Sequence, residues 1–201
     1  EINGKAVLQH TIEIFEQHPR IDLIAVILSP EDSVFQTALS EKVRVFRVGG
    51  ASRAESVRSG VSTLLEQGLA EAQDNILVHD AARCCLPAEA LTRLLDEAEE
   101  SNEGGILAIP VADTLKRADG SHHIDETVAR AGLWQAQTPQ LFQTALLNRA
   151  LSVDDLSEIT DEASAVEKLG IRPRLVQGDT RNLKLTLPQD EYIVRLLLKA
   201  V

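Results

Sequence analysis

Hydrophobic and polar positions along the chain follow two alternating patterns. Short unbroken apolar runs, typical of strands buried on both faces, are separated by segments whose apolar residues recur at the spacing of an amphipathic helix. The predicted strands are Leu23–Leu28, Val43–Val48, Ile76–Val78 and Ile106–Val111, and the predicted helices are Lys5–Gln17, one that begins at Ser29-Pro30, Ser52–Gln67 and Pro87–Glu100. This order predicts an α/β fold, a Rossmann-like and mostly parallel sheet with helices on both faces.

The pattern breaks at Ala112, where a mostly polar stretch begins. Two short segments, Thr114–Lys116 and Thr127–Arg130, can face each other across a turn at Asp119-Gly120-Ser121. We therefore predict a β-hairpin arm at about 112–133, inserted into the domain.

This arm carries basic residues in an otherwise acidic chain: Lys116, Arg117 and Arg130. A two-stranded ribbon is marginally stable alone, so we expect the arm to pack against the same arm of a second subunit in a homodimer. A surface hairpin without a partner is the alternative, and the basic residues favour the dimer.

The last third of the chain returns to helices and strands. The predicted elements are an extended Trp134–Phe142, a helix containing Ala145–Leu147, a helix that opens at Ile159–Glu162 and ends at Gly170, a strand at Arg174–Val176 and a helix over Gln189–Lys199. Between the last two, Asn182–Thr186 alternates polar and apolar residues, so Lys184 and Thr186 project to one side. That pair suits a phosphate group, although a single lysine is more often only solvated.

Polar chemistry follows the apolar run Ile76–Val78 in the sequence ILVHDAAR. In open α/β sheets ligands bind beyond the carboxyl ends of the strands, which places Asp80 and Arg83 at a candidate site. Asp80 can bind a metal or a hydroxyl, and Arg83 can hold a phosphate. In the alternative, Asp80 caps the helix that starts near Pro87 and Arg83 is its surface partner.

Composition narrows the class of protein. The 201 residues, 44% of them hydrophobic, suffice for one domain over 1–201, and the net charge of −11 argues against a nucleic-acid partner. The apolar runs are too short to cross a membrane, and no signal segment opens the chain. Cys84 and Cys85 are poorly placed to form a disulfide, so we expect a cytoplasmic protein. The lack of methionine indicates a processed or incomplete amino end.

Six segments, in order along nearly the whole chain, resemble one enzyme family. They are Leu77–Arg83, Gly104–Ala108, Asp113–Arg117, Gly132–Trp134 with Thr138–Gln140, Ile159–Ser164 and Asn182–Thr186. The family is that of the 2-C-methyl-D-erythritol 4-phosphate cytidylyltransferases of the non-mevalonate isoprenoid pathway. The resemblance implies a homodimeric, Rossmann-like enzyme. It would join CTP to methylerythritol phosphate, releasing pyrophosphate, with Mg²⁺ or another divalent cation as cofactor.

The resemblance also implies roles for particular residues. The methylerythritol phosphate would lie against Asp80, Arg83, Thr160, Lys184 and Thr186 of one subunit and Thr114 and Arg130 of the other subunit's arm, with Arg130 and Lys184 positioning the attacking phosphate. The nucleotide would lie along Gly50, Ala51, Ser56 and Ala81. Many members have Asp where this chain has Ala51, which leaves base recognition there to backbone groups. No residue is assigned as a metal ligand.

One family motif has no counterpart in the sequence. The family opens with a strand and a glycine-rich loop, of the form PAAGxGxR followed by PKQ, that holds the triphosphate; Glu1–Lys5 resembles the residues immediately after that loop. Either the protein is truncated, or the loop is flexible and these are its ordered remainder, which we favour because such loops order around their ligand. Two other functions stay open: a ribitol 5-phosphate type of cytidylyltransferase, and a non-catalytic sugar-nucleotide-binding dimer.

Overall fold

A computed structural model describes residues 1–35 and 40–199. Its helices are α1 (Val7–Glu16), α2 (Arg53–Glu66), α3 (Ala88–Ala98), α4 (Thr144–Leu151), α5 (Glu162–Glu167) and α6 (Asp190–Leu197). Its strands are β1 (Ile24–Ile27), β2 (Val43–Phe46), β3 (Asn75–Val78), β4 (Gly105–Pro110), β5 (Leu115–Ala118), β6 (Ile124–Val128), β7 (Trp134–Gln143) and β8 (Arg174–Gln177). The predicted α/β fold is confirmed.

Four strands form the central sheet in the order β3-β7-β4-β8. β4 runs parallel to β8, whereas β7 is antiparallel to both of its neighbours, β3 and β4. The extended segment predicted over Trp134–Phe142 is therefore a strand at the centre of the sheet. β1 and β2 form a separate parallel pair.

Helices cover both faces of the central sheet, as the apolar pattern predicted. Adjacent residues of β7 point to opposite faces: Phe142 packs with Leu147 of α4 and Val166 of α5, whereas Leu141 packs with Leu91 and Leu94 of α3. Both β7 residues are almost completely buried. The alternation of side chains along a strand thus supplies two apolar cores from a single segment.

The helix predicted to begin at Ser29-Pro30 is wrong for residues 29–35, and its remainder falls on residues 36–39, outside the described residues. The Ser29 hydroxyl accepts a hydrogen bond from the Glu31 N–H, and Asp32 Oδ1 accepts from the N–H groups of Val34 and Phe35. Such short side-chain contacts offer the backbone a turn in place of a helix, which overrides the capping pattern of the sequence.

The predicted arm is present as a hairpin in which β5 pairs antiparallel with β6. Its strands are largely exposed, as expected of a ribbon that extends from the domain. Among residues 1–35 and 40–199, no helix combines the length and apolar character needed to cross a membrane.

Candidate active site

The turn after β3 is fixed by hydrogen bonds to the neighbouring strand β7. The Arg83 N–H donates to the Asp80 carbonyl at 2.9 Å and closes the turn. The Asp80 N–H donates to the Thr138 hydroxyl at 3.0 Å. Because Thr138 lies within β7, the sheet itself sets the position of the Asp80 backbone.

His79 extends this chain of hydrogen bonds, and its two hydrogen-bond partners define which ring nitrogen carries the proton. Its Nε2 lies 3.0 Å from the Arg83 carbonyl, which can only accept, so Nε2 carries the proton. Its Nδ1 lies 3.0 Å from the Thr138 hydroxyl and therefore accepts from it. Burial lowers the pKa of His79 to about 4. A neutral imidazole thus completes the path from the Asp80 N–H through Thr138 to the Arg83 carbonyl.

Three cationic side chains surround the Asp80 carboxylate. Lys184 Nζ lies 3.1 Å from Oδ2, Arg83 Nε lies 3.7 Å from Oδ2, and Arg53 Nε lies 2.9 Å from Oδ1. Burial alone would raise the pKa of Asp80, but Arg53 and Lys184 outweigh burial and hold it below its ordinary value. Helix α3 has Pro87 at its N-cap and no side-chain cap. The alternative in which Asp80 caps that helix is therefore wrong.

Arg83 is a largely buried cation, not a surface partner. Its Nη1 donates to the Asn182 carbonyl at 2.6 Å, and the Asn182 amide in turn donates to the Thr138 carbonyl at 2.8 Å. Burial lowers the pKa of Arg83. Within the described part of the chain its buried Nε has no hydrogen-bond partner and lies 3.7 Å from Asp80 Oδ2.

The predicted nucleotide stretch forms the entry to α2. The Gly50 N–H donates to the Ser56 hydroxyl at 3.1 Å, and that hydroxyl donates to the Ser52 carbonyl at 2.9 Å. Ser52 caps the helix in a reciprocal capping box with Glu55. A Cβ at position 50 would lie 2.4 Å from Glu55 Cβ, so only glycine fits there. Ala51 is exposed next to it.

A cavity of about 940 Å³ brings these groups together between β1 and β3, which are not hydrogen-bonded to each other. Its polar end is lined by Arg53, Ser56, Asp80, Ala81 and Lys184. The facing edges of β1 and β3 and the apolar sides of α1 and α2 line the rest. Two residues assigned to the nucleotide, Ser56 and Ala81, thus share one space with two assigned to the phosphate substrate, Asp80 and Lys184.

Comparison with known proteins accounts for this arrangement. The family model of 2-C-methyl-D-erythritol 4-phosphate cytidylyltransferase matches residues 1–200. The chain belongs to this family. It is 66% identical to the cytidylyltransferase of Neisseria meningitidis serogroup C, over the whole chain and 88% of that relative, and 49% identical to that of Chromobacterium violaceum with the same coverage.

Solved structures agree with this assignment. A crystal structure of 4-diphosphocytidyl-2C-methyl-D-erythritol synthase matches with a TM-score of 0.93 and 64% identity, over 98% of this chain and 92% of the other. The Francisella tularensis cytidylyltransferase matches with a TM-score of 0.84 and 31% identity, over 97% and 89%. The predicted membership of the cytidylyltransferase family is confirmed.

The remaining predicted residues do not line this cavity, and these include Gly50, Ala51 and Arg83, described above. Thr114 and Arg130 are exposed at the base of the arm, one residue before β5 and two after β6, where the family resemblance implies contact with another subunit. Thr160 is exposed just before the N-cap of α5. The Thr186 hydroxyl lies 3.2 Å from Asp190 Oδ2, at the start of α6. Their roles in a cytidylyltransferase stay predictions.

Two residues near Asp80 were not predicted from the sequence as site residues. They are Arg53, which contacts Asp80, and Glu162, which contacts Arg53. Arg53 Nη1 and Nη2 lie 2.6 Å and 3.0 Å from the two Glu162 oxygens, and the Glu162 side chain is only 1% exposed. Glu162 lies inside a segment that carries the family resemblance, and Arg53 lies within the predicted nucleotide stretch. An acidic residue in the first turn of a helix is typically a partner of the helix dipole, so nothing local distinguished Glu162.

Asp80 is the acidic side chain that would bind a divalent cation at this site. Within the described residues, His, Cys, Asp and Glu form no group of three or more placed to hold a metal ion. Mg²⁺ commonly takes only one or two carboxylates and completes its shell with water and substrate phosphates. Both Asp80 oxygens face cationic side chains, Arg53 at Oδ1 and Lys184 at Oδ2, so a metal that arrives with a nucleotide would share this carboxylate with them.

Proposed function

We propose that this protein transfers CMP from CTP to 2-C-methyl-D-erythritol 4-phosphate and releases pyrophosphate. The observation that carries the proposal is that Asp80 and Lys184 line one cavity with Ser56 and Ala81, with Arg83 beside Asp80, in a chain 66% identical to a named cytidylyltransferase. The cluster offers cations for a phosphate, and the stretch beside it offers backbone and hydroxyl groups for a nucleoside.

The reaction joins two anions, so bringing them together is the main task of the site. A phosphate oxygen of methylerythritol phosphate attacks the α-phosphorus of CTP, and the bond to the β-phosphate breaks as pyrophosphate leaves. Lys184 and Arg83 hold the attacking phosphate, with Thr160 and Thr186 as further contacts. Positioning and charge compensation by such groups supply the catalysis, and no covalent nucleophile is needed.

Arg130 and Thr114 reach the site in our proposal from the arm of a second subunit. Both are exposed and lie outside the cavity of their own chain. An arm that exchanges between subunits would place Arg130 opposite Lys184 and surround the attacking phosphate with cations from two chains. The protein would then be a homodimer with two composite sites.

The nucleotide side of the proposed site faces the edges of β1 and β3, which pair with no other strand among the described residues. Gly50, Ala51, Ser56 and Ala81 would lie along the cytidine. The strand and glycine-rich loop that open the family would pair with these edges, since an unpaired edge is a template for another strand. The backbone amides of such a loop suit a triphosphate.

Mg²⁺ is the proposed cofactor, with Asp80 as the protein carboxylate nearest to it. A divalent cation bound to the phosphates of CTP would neutralise charge that develops on the leaving pyrophosphate. We also propose a cytoplasmic location, where the free thiols of Cys84 and Cys85 stay reduced.

The test is magnesium-dependent pyrophosphate release by the protein as its gene encodes it. The protein is supplied with CTP and either methylerythritol phosphate or ribitol 5-phosphate. Release with the first substrate alone supports the proposal, and omission of Mg²⁺ should abolish it.

Other outcomes separate the alternatives. Release with ribitol 5-phosphate alone would make the protein the other type of cytidylyltransferase. Release with neither substrate, from a folded dimer, would favour a non-catalytic sugar-nucleotide-binding protein and contradict the proposal.

A further inference from the structure

Arg53 joins three parts of the site that are distant in sequence. It is the first residue of α2, directly after the cap Ser52 that closes the nucleotide stretch. Its guanidinium contacts Asp80 after β3 and Glu162 in the first turn of α5, at 2.9 Å and 2.6 Å. Thr160, a predicted substrate contact, lies two residues before Glu162.

The guanidinium uses separate nitrogens for its two partners. Nη1 and Nη2 hold Glu162 in a bidentate pair, and Nε alone holds Asp80 Oδ1. The planar fork of arginine fixes the angle between these contacts, which a lysine ammonium cannot do. The buried Glu162 thereby fixes Arg53, and Arg53 fixes Asp80.

The two oxygens of Asp80 consequently face different groups. Oδ1 is held by Arg53, whereas Oδ2 faces Lys184 at 3.1 Å and Arg83 at 3.7 Å. Without Arg53 the plane of the carboxylate could turn about its side-chain torsions, which would move the oxygen that faces Lys184. The contact with Arg53 thus selects one orientation of Asp80.

We infer that Arg53 is a positioning residue, held by Glu162, which orients Asp80 so that Oδ2 faces Lys184 and ties the nucleotide stretch to the phosphate side of the site. This inference rests on the proposed cytidylyltransferase reaction. Arg53 acts through Asp80 and requires no contact with either substrate.

Two other roles for Arg53 make different predictions. Arg53 could serve stability alone, by joining α2, β3 and α5. It could instead bind the triphosphate of CTP directly, since it is about a third exposed and lines the cavity. Stability, turnover and the effect of a second substitution at Asp80 separate these roles.

The variants must avoid an unpaired buried carboxylate, which would itself destabilise the fold. Glu162→Gln retains Arg53 and its contact with Asp80, and serves as the reference. Arg53→Gln/Glu162→Gln removes that contact and leaves no buried charge at position 162. The pair differs only in the group that holds Asp80.

For this pair of variants we measure kcat, the KM values for both substrates and the thermal unfolding midpoint. We expect kcat of the double variant to fall about 100-fold below that of Glu162→Gln, because small errors of position are costly in such a site. The KM for CTP and the unfolding midpoint should change little. Arg53→Lys should retain only part of the wild-type kcat.

A second substitution tests whether Arg53 acts through Asp80. In an Asp80→Asn/Glu162→Gln background, measured at high enzyme concentration, replacing Arg53 with glutamine should cause little further loss of kcat, because Arg53 and Asp80 work as a unit. Losses that multiply, or a KM for CTP that rises sharply, would show direct binding to the nucleotide and overturn the inference.

The remaining outcomes distinguish this inference from the proposed function. Equal kcat for the two Glu162 variants, in an active enzyme, would leave the function standing and contradict the positioning role. A wild-type protein that releases no pyrophosphate with CTP and methylerythritol phosphate would overturn the function and the positioning role together.

Discussion

Lys184 Nζ lies 3.1 Å from Asp80 Oδ2, which joins the turn after β3 to the segment before α6. The carboxylate is mostly buried, whereas the lysine side chain is 43% exposed at the cavity. A half-exposed ammonium held by a fixed carboxylate is oriented and still accessible. That combination suits a group that must hold an incoming phosphate.

Replacing Lys184 with methionine tests this interpretation. Methionine retains much of the side-chain volume but cannot compensate the charge of the attacking phosphate. We expect kcat to fall by about 10² to 10³-fold, the range found when one charge-stabilising donor is removed, with little change in the unfolding midpoint.

Lys168→Met is the matched control, because Lys168 forms an exposed ion pair with Glu158 just after the short helix α5. It should leave kcat near the wild-type value. Equal kcat for Lys184→Met and the wild type would remove Lys184 from the site.

The local pattern of apolar and polar residues predicted the main elements of this site. It did not predict the contacts between segments that are distant in sequence. The apolar run Ile76–Val78 and the polar residues after it correctly placed Asp80 just beyond the end of a strand, although that strand is only partly buried and not buried on both faces as expected. The contacts of Arg53 with Asp80 and Glu162 depend on how α2, β3 and α5 pack, and no local periodicity encodes that packing.

The order of the strands in the central sheet was likewise not predictable from the local pattern of the sequence. Apolar runs identified β3 and β4, but their spacing does not reveal that β7 inserts antiparallel between them. The helix expected from Ser29 failed because side-chain hydrogen bonds of Ser29 and Asp32 form turns, and serine, proline and acidic residues favour both outcomes.

Gly50 should be intolerant of any side chain. An alanine Cβ would lie 2.4 Å from Glu55 Cβ, within the capping box that starts α2. We expect Gly50→Ala to lower the free energy of unfolding by about 1–3 kcal/mol and to raise the KM for CTP, because the nucleotide stretch must move.

Chemical denaturation and steady-state kinetics measure both effects. Gly120→Ala on the arm is the control, because a Cβ there meets no atom within 4 Å. A Gly50→Ala variant as stable as the control would show that the entry to α2 can relax without cost.

The neutral His79 predicts how stability depends on pH. Its pKa is about 4 in the folded protein against an ordinary value of 6.5, so the unfolded chain binds a proton first as pH falls. Stability should therefore be unaffected by His79 above pH 6.5 and decline between pH 6.5 and 4, by on the order of 3 kcal/mol.

Equilibrium denaturation of the wild type and His79→Gln over this pH range measures the contribution. The variant should show a shallower decline, although His18, whose pKa is also lowered by burial, adds a slope of the same sign to both proteins. Parallel pH profiles would show that His79 is not the group responsible.

Arg130 on the arm is expected to act on catalysis and not on the fold. Since it is exposed and lies outside the cavity of its own chain, Arg130→Ala should leave the unfolding midpoint and the dimer unchanged. Turnover should fall by orders of magnitude, because the proposed composite site would lose one of the cations around the attacking phosphate.

Arg117→Ala is the matched control on the same arm, where Arg117 pairs with Glu126 across the hairpin. It should retain near-normal turnover. Near-normal turnover of Arg130→Ala as well would mean that the arm is structural only.

Subunit mixing tests most directly whether each site is shared by two chains. Arg130→Ala and Lys184→Met proteins are unfolded together, refolded and assayed for pyrophosphate release with CTP and methylerythritol phosphate. In mixed dimers one site then combines the intact Lys184 of one chain with the intact Arg130 of the other, so activity should recover to about a quarter of wild type. Activity no higher than the sum of the two separate variants, in mixed dimers verified by mass spectrometry, would contradict the composite site.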